Sequence, residues 1–328
     1  MAEDKSWKLL EKVLLASLQE QRRTRRWGIF FKLLTFIYLI GALLVFAPTL
    51  GAISDIADNP MGGFWGTPSE KTAAHTAVIE LQGAITADSQ SSADQIVSSL
   101  RRAFKDPGTK GVVLRINSPG GSPVQSGYIY DEIRRLRSKY PDIKLYAVIT
   151  DMGASGAYYI ASAADAIYAD KASLIGSIGV TAAGFGFVDT MEKLGVERRT
   201  YTAGAHKSFL DPFQPQREDE TAFWQQVLGT VHQQFIDSVK TGRGDRLKDA
   251  EHPELFSGLI WSGEQALALG LIDAFGSTSH VAREVVGEET LKNFTRKLSP
   301  MEQLTRRLGT SIADRLALQM GLIPQQLQ

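Results

Sequence analysis

The chain has 328 residues, 36 Lys plus Arg against 36 Asp plus Glu, no cysteine and 43% hydrophobic residues. A formal charge of zero excludes a global electrostatic pull toward nucleic acid, and the missing thiols exclude disulfides and thiolate metal sites. The remaining composition suits one sizeable folded core with accessories and excludes disorder throughout.

In residues 1–26, Trp7, Leu10, Leu14 and Leu18 recur at helical spacing among basic side chains. That pattern suits an amphipathic helix on the inner leaflet, and equally a helix that extends the next segment into water. From Leu33 to Ile53 no side chain is ionisable except the phenol of Tyr38, matching the roughly 20 residues that cross about 30 Å of hydrocarbon. Residues 27–53 are therefore expected to be a transmembrane anchor. Arg22, Arg23, Arg25, Arg26 and Lys32 precede the apolar run, while Asp55 and Asp58 follow it, so the positive-inside bias keeps the N-terminus in the cytoplasm and the bulk of the chain outside. A cleaved signal peptide is the competing reading; the long charged lead and an apolar run beyond the usual 7–15 residues favour an uncleaved anchor. Residues 54–72 are rich in Gly, Pro and small side chains and read as a stalk.

Residues 73–290 change to short β-branched runs alternating with amphipathic stretches: "HTAVIELQGAI", "SADQIVSSLRRAFKD", "GVVLRINS", "PVQSGYIYDEIRRLRSKY" and "IKLYAVITD". This predicts β-α-β-α-β, an α/β class with a parallel sheet covered on both faces and right-handed crossovers. Shorter pieces follow, then one long helix from Arg217 to Gly242. Residues 291–328 form an amphipathic tail with Leu308, Ile312, Leu316 and Met320 four apart. No internal repeat or low-complexity tract interrupts this order.

Two turns can carry chemistry. "RINSPGGSP", Arg115 to Pro123, places Pro119 before Gly120 and Gly121, a backbone able to turn amide N–H groups outward where a developing oxyanion needs donors. Alone, the motif is weak and reads first as a tight strand-to-helix connection with no ligand. Ser155 holds the corresponding place after the third strand, where it could be an ordinary helix N-cap. Gly153, Ala154 and Gly156 crowd it with almost nothing, as if an extended ligand lies across it, and a helix start would lend the Gly156 amide to a nearby anion. Carboxyl ends of parallel strands face one crevice, so the two turns can complete each other. A base is still required. His75, His206, His232, His252 and His280 show no partner pattern. In "YTAGAHKSFLDPF", read as extended, His206 and Lys207 point to opposite sides. Lys207 could act as a base if desolvation disfavours its ammonium form, although most lysines are simply solvated.

Together "SPGG" at 118–121, "GASGAYYIASAAD" at 153–165, "GSIGV" at 176–180 and "AGAHKSFLDPF" at 203–213 resemble, in order and approximate spacing, the signal peptide peptidase A (SppA) family of membrane-bound serine proteases. This is also called the protease IV family, with SohB-like relatives, and the length is similar to its short form. The resemblance implies a Clp/crotonase-like α/β fold and a Ser/Lys dyad without cofactor or metal: Ser155 as nucleophile, Lys207 as general base. It also implies an oxyanion hole of backbone amides at Gly121 or Gly120 and at Gly156, with Gly121 favoured of the first two. Ser177 resembles the hydroxyl that orients the lysine; its alternative is a polar strand end. The resemblance further implies a single-pass protein of the bacterial inner membrane, its catalytic domain extracytoplasmic, assembled as a homo-oligomer whose sites are shared between protomers. Its partners would be the lipid bilayer and peptide substrates, namely remnant signal peptides, and not nucleic acid. Competing functions are a crotonase-like acyl-CoA enzyme, which would use the paired amides but need neither Ser155 nor Lys207, and a non-catalytic membrane scaffold.

Overall fold

The computed structural model describes residue 27, residues 30–41 and residues 73–296. The chain divides into two units, Met1–Glu70 and Lys71–Gln328. In the first, residues 30–41 are helical and present exposed apolar side chains such as Phe30, Leu33 and Phe36. Among the described residues no helix is long and apolar enough to cross a membrane. The rest of the expected 27–53 anchor, the 1–26 segment, the 54–72 stalk and the tail from 297 onward lie outside the described residues.

The second unit is a mixed α/β structure built on a mostly parallel sheet. Strand β1 (His75–Gln82), helix α1 (Ala93–Lys105), β2 (Thr109–Ser118), α2 (Pro123–Lys139) and β3 (Lys144–Ala154) follow the expected β-α-β-α-β order. β1 pairs with β2 and β2 with β3, both in parallel. The alternation of the strands explains the layering. Ile79, Leu81, Leu114, Ile116, Leu145 and Ile149 are buried on the face that α1 and α2 cover with Ile96, Leu100, Phe104, Ile129 and Ile133. Each such side chain contributes about 1.5–3 kcal/mol by leaving water.

Beyond β3 come α3 (Gly156–Ala161), β4 (Ala166–Ala169), β5 (Leu174–Gly176), α4 (Val188–Leu194) and α5 (Glu218–Arg243). Helix α5 begins within a residue of the expected Arg217 and carries Glu218, Asp219 and Glu220 in its first turn, where acidic groups complement the helix dipole. The unit closes with β6 (Ile260–Ser262), α6 (Gly263–Ala268), β7 (Ala274–Phe275) and β8 (Leu291–Asn293). Both β4 and β5 pair in parallel with β3, while β6 pairs antiparallel with β5.

The second sheet face is covered by a π-helical turn, Val281–Val286, whose Val281, Val285 and Val286 pack on Val113 and Val148. One expectation is corrected. Residues 291–293, expected to begin the amphipathic tail, form β8 and pair with β1 from Thr76↔Leu291 to Val78↔Asn293. Three residues are too short for a period-2 pattern to show, so the strand was invisible in the sequence.

Candidate active site

The carboxyl ends of β2 and β3 deliver the two turns singled out above to one place. After β2, Ile85 N–H donates to Gly120 O (2.9 Å) and Ser122 N–H to Ile85 O (2.8 Å), which pins the turn to the segment following β1. Ser122 then N-caps α2, accepting from Gln125 N–H, with Pro123 in the first turn where its missing N–H leaves no bond unmade. Gly120 (φ 94°) and Gly121 (φ 152°) both have positive φ. A Cβ on Gly121 would collide with Ile85 O, and one on Gly120 would lie 2.7 Å from Gly156 N, so glycine is what lets the two turns touch.

Ser155 lies between β3 and α3 with φ 53° and ψ −126°. Only two other non-glycine residues among those described, Ser177 and Leu210, have positive φ. Its hydroxyl makes no capping hydrogen bond, so the N-cap alternative fails: a cap takes extended dihedrals and bonds an orphan amide. The conformation is held from outside, by Ser155 N–H donating to Gly176 O (2.8 Å) and Tyr159 N–H donating to Ser155 O (3.0 Å). Such strain costs about 1–3 kcal/mol and survives only where the surroundings over-determine it.

The amides around Ser155 are unequal. Gly120 N–H donates to Ser118 Oγ at 3.1 Å, which takes it out of the expected oxyanion set; its role is steric. The bonds of the turn leave Gly121 N–H unused, and Gly156 N–H stands at the first position of α3, where no intrahelical acceptor exists. These two amides are close neighbours, since a Cβ on Gly156 would sit 3.4 Å from Gly121 N.

Gly121, Ser155, Gly156 and Ser177 all line one cavity of about 740 Å³. Ser177 reaches it because β5 pairs with β3 in register Ala154↔Gly176, which sets Ser177 one strand over from Ser155 at the roughly 4.8 Å spacing of a parallel ladder. Its own φ is 51°, with its N–H donated to Leu259 O at 2.7 Å.

Lys207 does not line this cavity. Its segment is a run of turns and not extended chain: Lys207 N–H donates to Gly204 O (3.2 Å) and Phe209 N–H to His206 O (3.1 Å). The lysine is exposed. His206 beside it holds Glu220 of α5 through Nδ1 and Oε1 at 3.2 Å, while neighbouring Ser208 and Leu210 line a separate cavity of about 500 Å³. Two other histidines have structural tasks that no sequence pattern marked: His75 is buried against Ala73 O and Thr109 Oγ1, and His232 Nε2 meets Ile178 O at 3.1 Å.

Sequence reasoning missed Ser126, whose Oγ is buried and bonds Ser122 O directly against Gly156, and Tyr159, which walls the cavity. Neither carried a signal, because each matters only once α2 and α3 are packed together.

Residues 137–292 match the family model described as "Peptidase family S49", a span that includes Ser155, Ser177 and Lys207. The chain is 43% identical over 217 residues to a Brucella melitensis protein named "Na(+)/H(+) antiporter NhaA", covering 65% of this chain and 29% of that one. It is 30% identical over 229 residues to "Serine protease SPPA, chloroplastic" of Arabidopsis thaliana, covering 67% of this chain and 33% of that one. The chain thus spans about a third of these relatives' length. A solved structure of a membrane-bound stomatin-specific protease, 1510-N, in complex with a substrate peptide superposes with a TM-score of 0.45 at 14% identity, covering 72% of this chain and 98% of that one.

Proposed function

We propose, from a chain that carries a peptidase family S49 domain over residues 137–292, that it is a membrane-anchored serine endopeptidase of Clp/crotonase-like fold that degrades remnant signal peptides with a Ser/Lys dyad. One observation carries the reading: Ser155 is held in a strained backbone with an uncapped hydroxyl, in a cavity that also receives the Gly121 and Gly156 amides. An acyl-CoA enzyme would use those amides but has no need of a strained serine between them.

The mechanism follows from the groups. The Lys207 amine accepts the proton of the Ser155 hydroxyl as Oγ attacks a peptide carbonyl. The tetrahedral oxyanion is held by Gly121 and Gly156 N–H, and the lysine returns the proton to the leaving amine as the C–N bond breaks. Water repeats the sequence, with Lys207 taking its proton, to release the acyl group from Ser155. Ser177 orients the amine. Because Lys207 lies off the cavity within one chain, the base comes from a neighbouring protomer. Supporting this, α4 has no buried residue, and Phe185, Leu194, Val196 and Tyr201 around it are 81%, 71%, 56% and 90% exposed, an apolar surface that calls for a partner.

The test is covalent labelling with a fluorophosphonate followed by peptide mapping. The expected adduct is on Ser155, with labelling and peptide cleavage both lost in Ser155→Ala. Cleavage that persists in Ser155→Ala refutes the assignment.

A further inference from the structure

The edge of the sheet opposite the serine is also built for contact. His75 pairs with Thr109 and Gly111 with Lys144, so β1, β2 and β3 all begin at one edge, and α1 and α2 run back to end there, as parallel crossovers must. Ser155 follows the far end of β3, an 11-residue strand, and so lies at most about 36 Å away. The chain arrives at the opposite edge from residue 73, next in sequence after the expected anchor and stalk.

Basic side chains collect on that edge. Exposed Lys105 ends α1, Lys110 stands at the start of β2, Arg134 and Lys139 lie in the last two turns of α2, and Lys144 opens β3. Among the described residues no ion pair engages these five. The acidic groups nearby are mostly committed: Asp106 meets Lys292 at 2.7 Å, Glu132 meets Arg101 and Arg135 at 2.7 and 2.6 Å, and Asp165 meets Arg137 at 2.6 Å, which leaves Asp142 open. Glu288 and Glu289 precede β8, which lies beyond β1 and three strands from β3. Helix dipoles account for basic residues in a last turn, but not for Lys110 and Lys144, which stand on strands.

The charges converge on a cleft. Arg134, Arg137 and Ser138 share one face of α2 and, with Ile143, Lys144 and Asp165, line a cavity of about 320 Å³. Arg137 is fixed in its wall: Nη1 donates to Ala163 O and Nη2 to Asp165 Oδ1, each at 2.6 Å, while Asp165 Oδ2 accepts from Leu145 N–H at 2.9 Å. Its Nε is buried with no partner, a donor that calls for an acceptor from outside the chain. Because Arg137 and Asp165 cancel, the charges of Arg134 and Lys144 stand uncompensated in the cleft.

We infer that this cleft binds the phosphate of an anionic phospholipid and that the basic edge around it rests on the headgroups. The inference goes beyond the peptidase reading and rests on the membrane anchor within it. A guanidinium and an ammonium on one cleft suit a phosphodiester, arginine by its forked donors and lysine as a point charge. A lipid surface also explains what a single soluble anion does not. Lys105, Lys110 and Lys139 carry the positive charge beyond the cleft along the same edge, and each basic group near an anionic leaflet adds to the attraction. The serine then faces away from the bilayer, so a peptide must leave the headgroup layer to be cut.

The experiment places the full-length protein in nanodiscs of phosphatidylcholine, alone or with about one-third phosphatidylglycerol to supply the anionic surface. Lysine acetylation is read by mass spectrometry, with exposed Lys193 of α4 as the internal reference. In anionic discs Lys110, Lys139 and Lys144 should react about fivefold less than in neutral ones, and the difference should vanish in about 1 M NaCl, where the screening length is about 3 Å. Arg134→Gln combined with Lys144→Gln should remove the protection of Lys110 and Lys139. Peptide cleavage and fluorophosphonate labelling should stay unchanged in that variant, since neither residue lines the serine cavity. Equal reactivity in both discs, or equal protection in neutral discs by inorganic phosphate alone, overturns the lipid assignment. Retention by both discs with no change in lysine reactivity keeps the anchor and refutes the basic edge. Retention by anionic discs alone, lost in the double variant, keeps the edge and refutes the anchor; retention by neither refutes both.

Discussion

Ser155 stores backbone strain that its hydroxyl does nothing to relieve, and this separates its energetic role from its chemical one. A glycine tolerates φ 53° without the Cβ penalty, so Ser155→Gly should stabilise the domain by about 1 kcal/mol while abolishing fluorophosphonate labelling; Ser155→Ala should abolish labelling with no such gain. Thermal unfolding of the two variants makes the comparison, and equal melting temperatures would mean the strain is absent in solution. The serine and its small neighbours could be read from the sequence as a possible nucleophile, yet the competing N-cap could not be dismissed, because dihedrals and capping bonds are not properties of residue order. The same holds for Gly120 and Gly121. As letters they are interchangeable; only Ser118 Oγ, which accepts from Gly120 N–H, distinguishes the spacer from the available donor.

At the level of elements, the β-α-β-α-β frame was legible because hydrophobic period changes from two to 3.6 along long segments. Short pieces such as β8 and the turn-rich stretch around Lys207 were not. How the helices are tied together was also hidden. Glu132 of α2 is buried and accepts from Arg135 Nη2 (2.6 Å) and, across to α1, from Arg101 Nε (2.7 Å). The bonds from Arg135, and then those from Arg101, overcome the opposing effect of burial and hold its carboxyl near a pKa of about 2, below the usual 4.5. A depressed carboxyl contributes stability that is fully present above about pH 4.5 and disappears as pH falls through about 2. Glu132→Gln should therefore destabilise the domain at neutral pH by at most about 3 kcal/mol, less to the extent that water screens the two half-exposed guanidinium groups. Denaturant midpoints of wild type and variant should converge as the pH approaches 2; a constant gap across that window would show that the contribution is not electrostatic.

For the whole molecule, one chain brings Ser155 and the Gly121 and Gly156 amides to one cavity but leaves the expected base, Lys207, on an exposed flank, so under the proposed mechanism activity is predicted to belong to an assembly. Lys207→Ala should abolish acylation while leaving the oligomer intact by size-exclusion chromatography. Oligomers mixed from Ser155→Ala and Lys207→Ala chains should regain part of the activity that neither parent has, and no recovery would count against a shared site. Resemblance named Ser155 and Lys207 as the expected pair but not their separation within one chain, since residue spacing does not record which cavity a side chain lines. A last consequence comes from the parallel pairing of β1 with β8. The first strand begins at His75 and the last described strand ends at Asn293, paired beside it with Val78, so the sheet's first and last strands lie next to each other. A module with such a narrow doorway can be spliced into a much longer polypeptide without opening its sheet, as a circularly permuted or inserted copy expressed in a host loop would demonstrate.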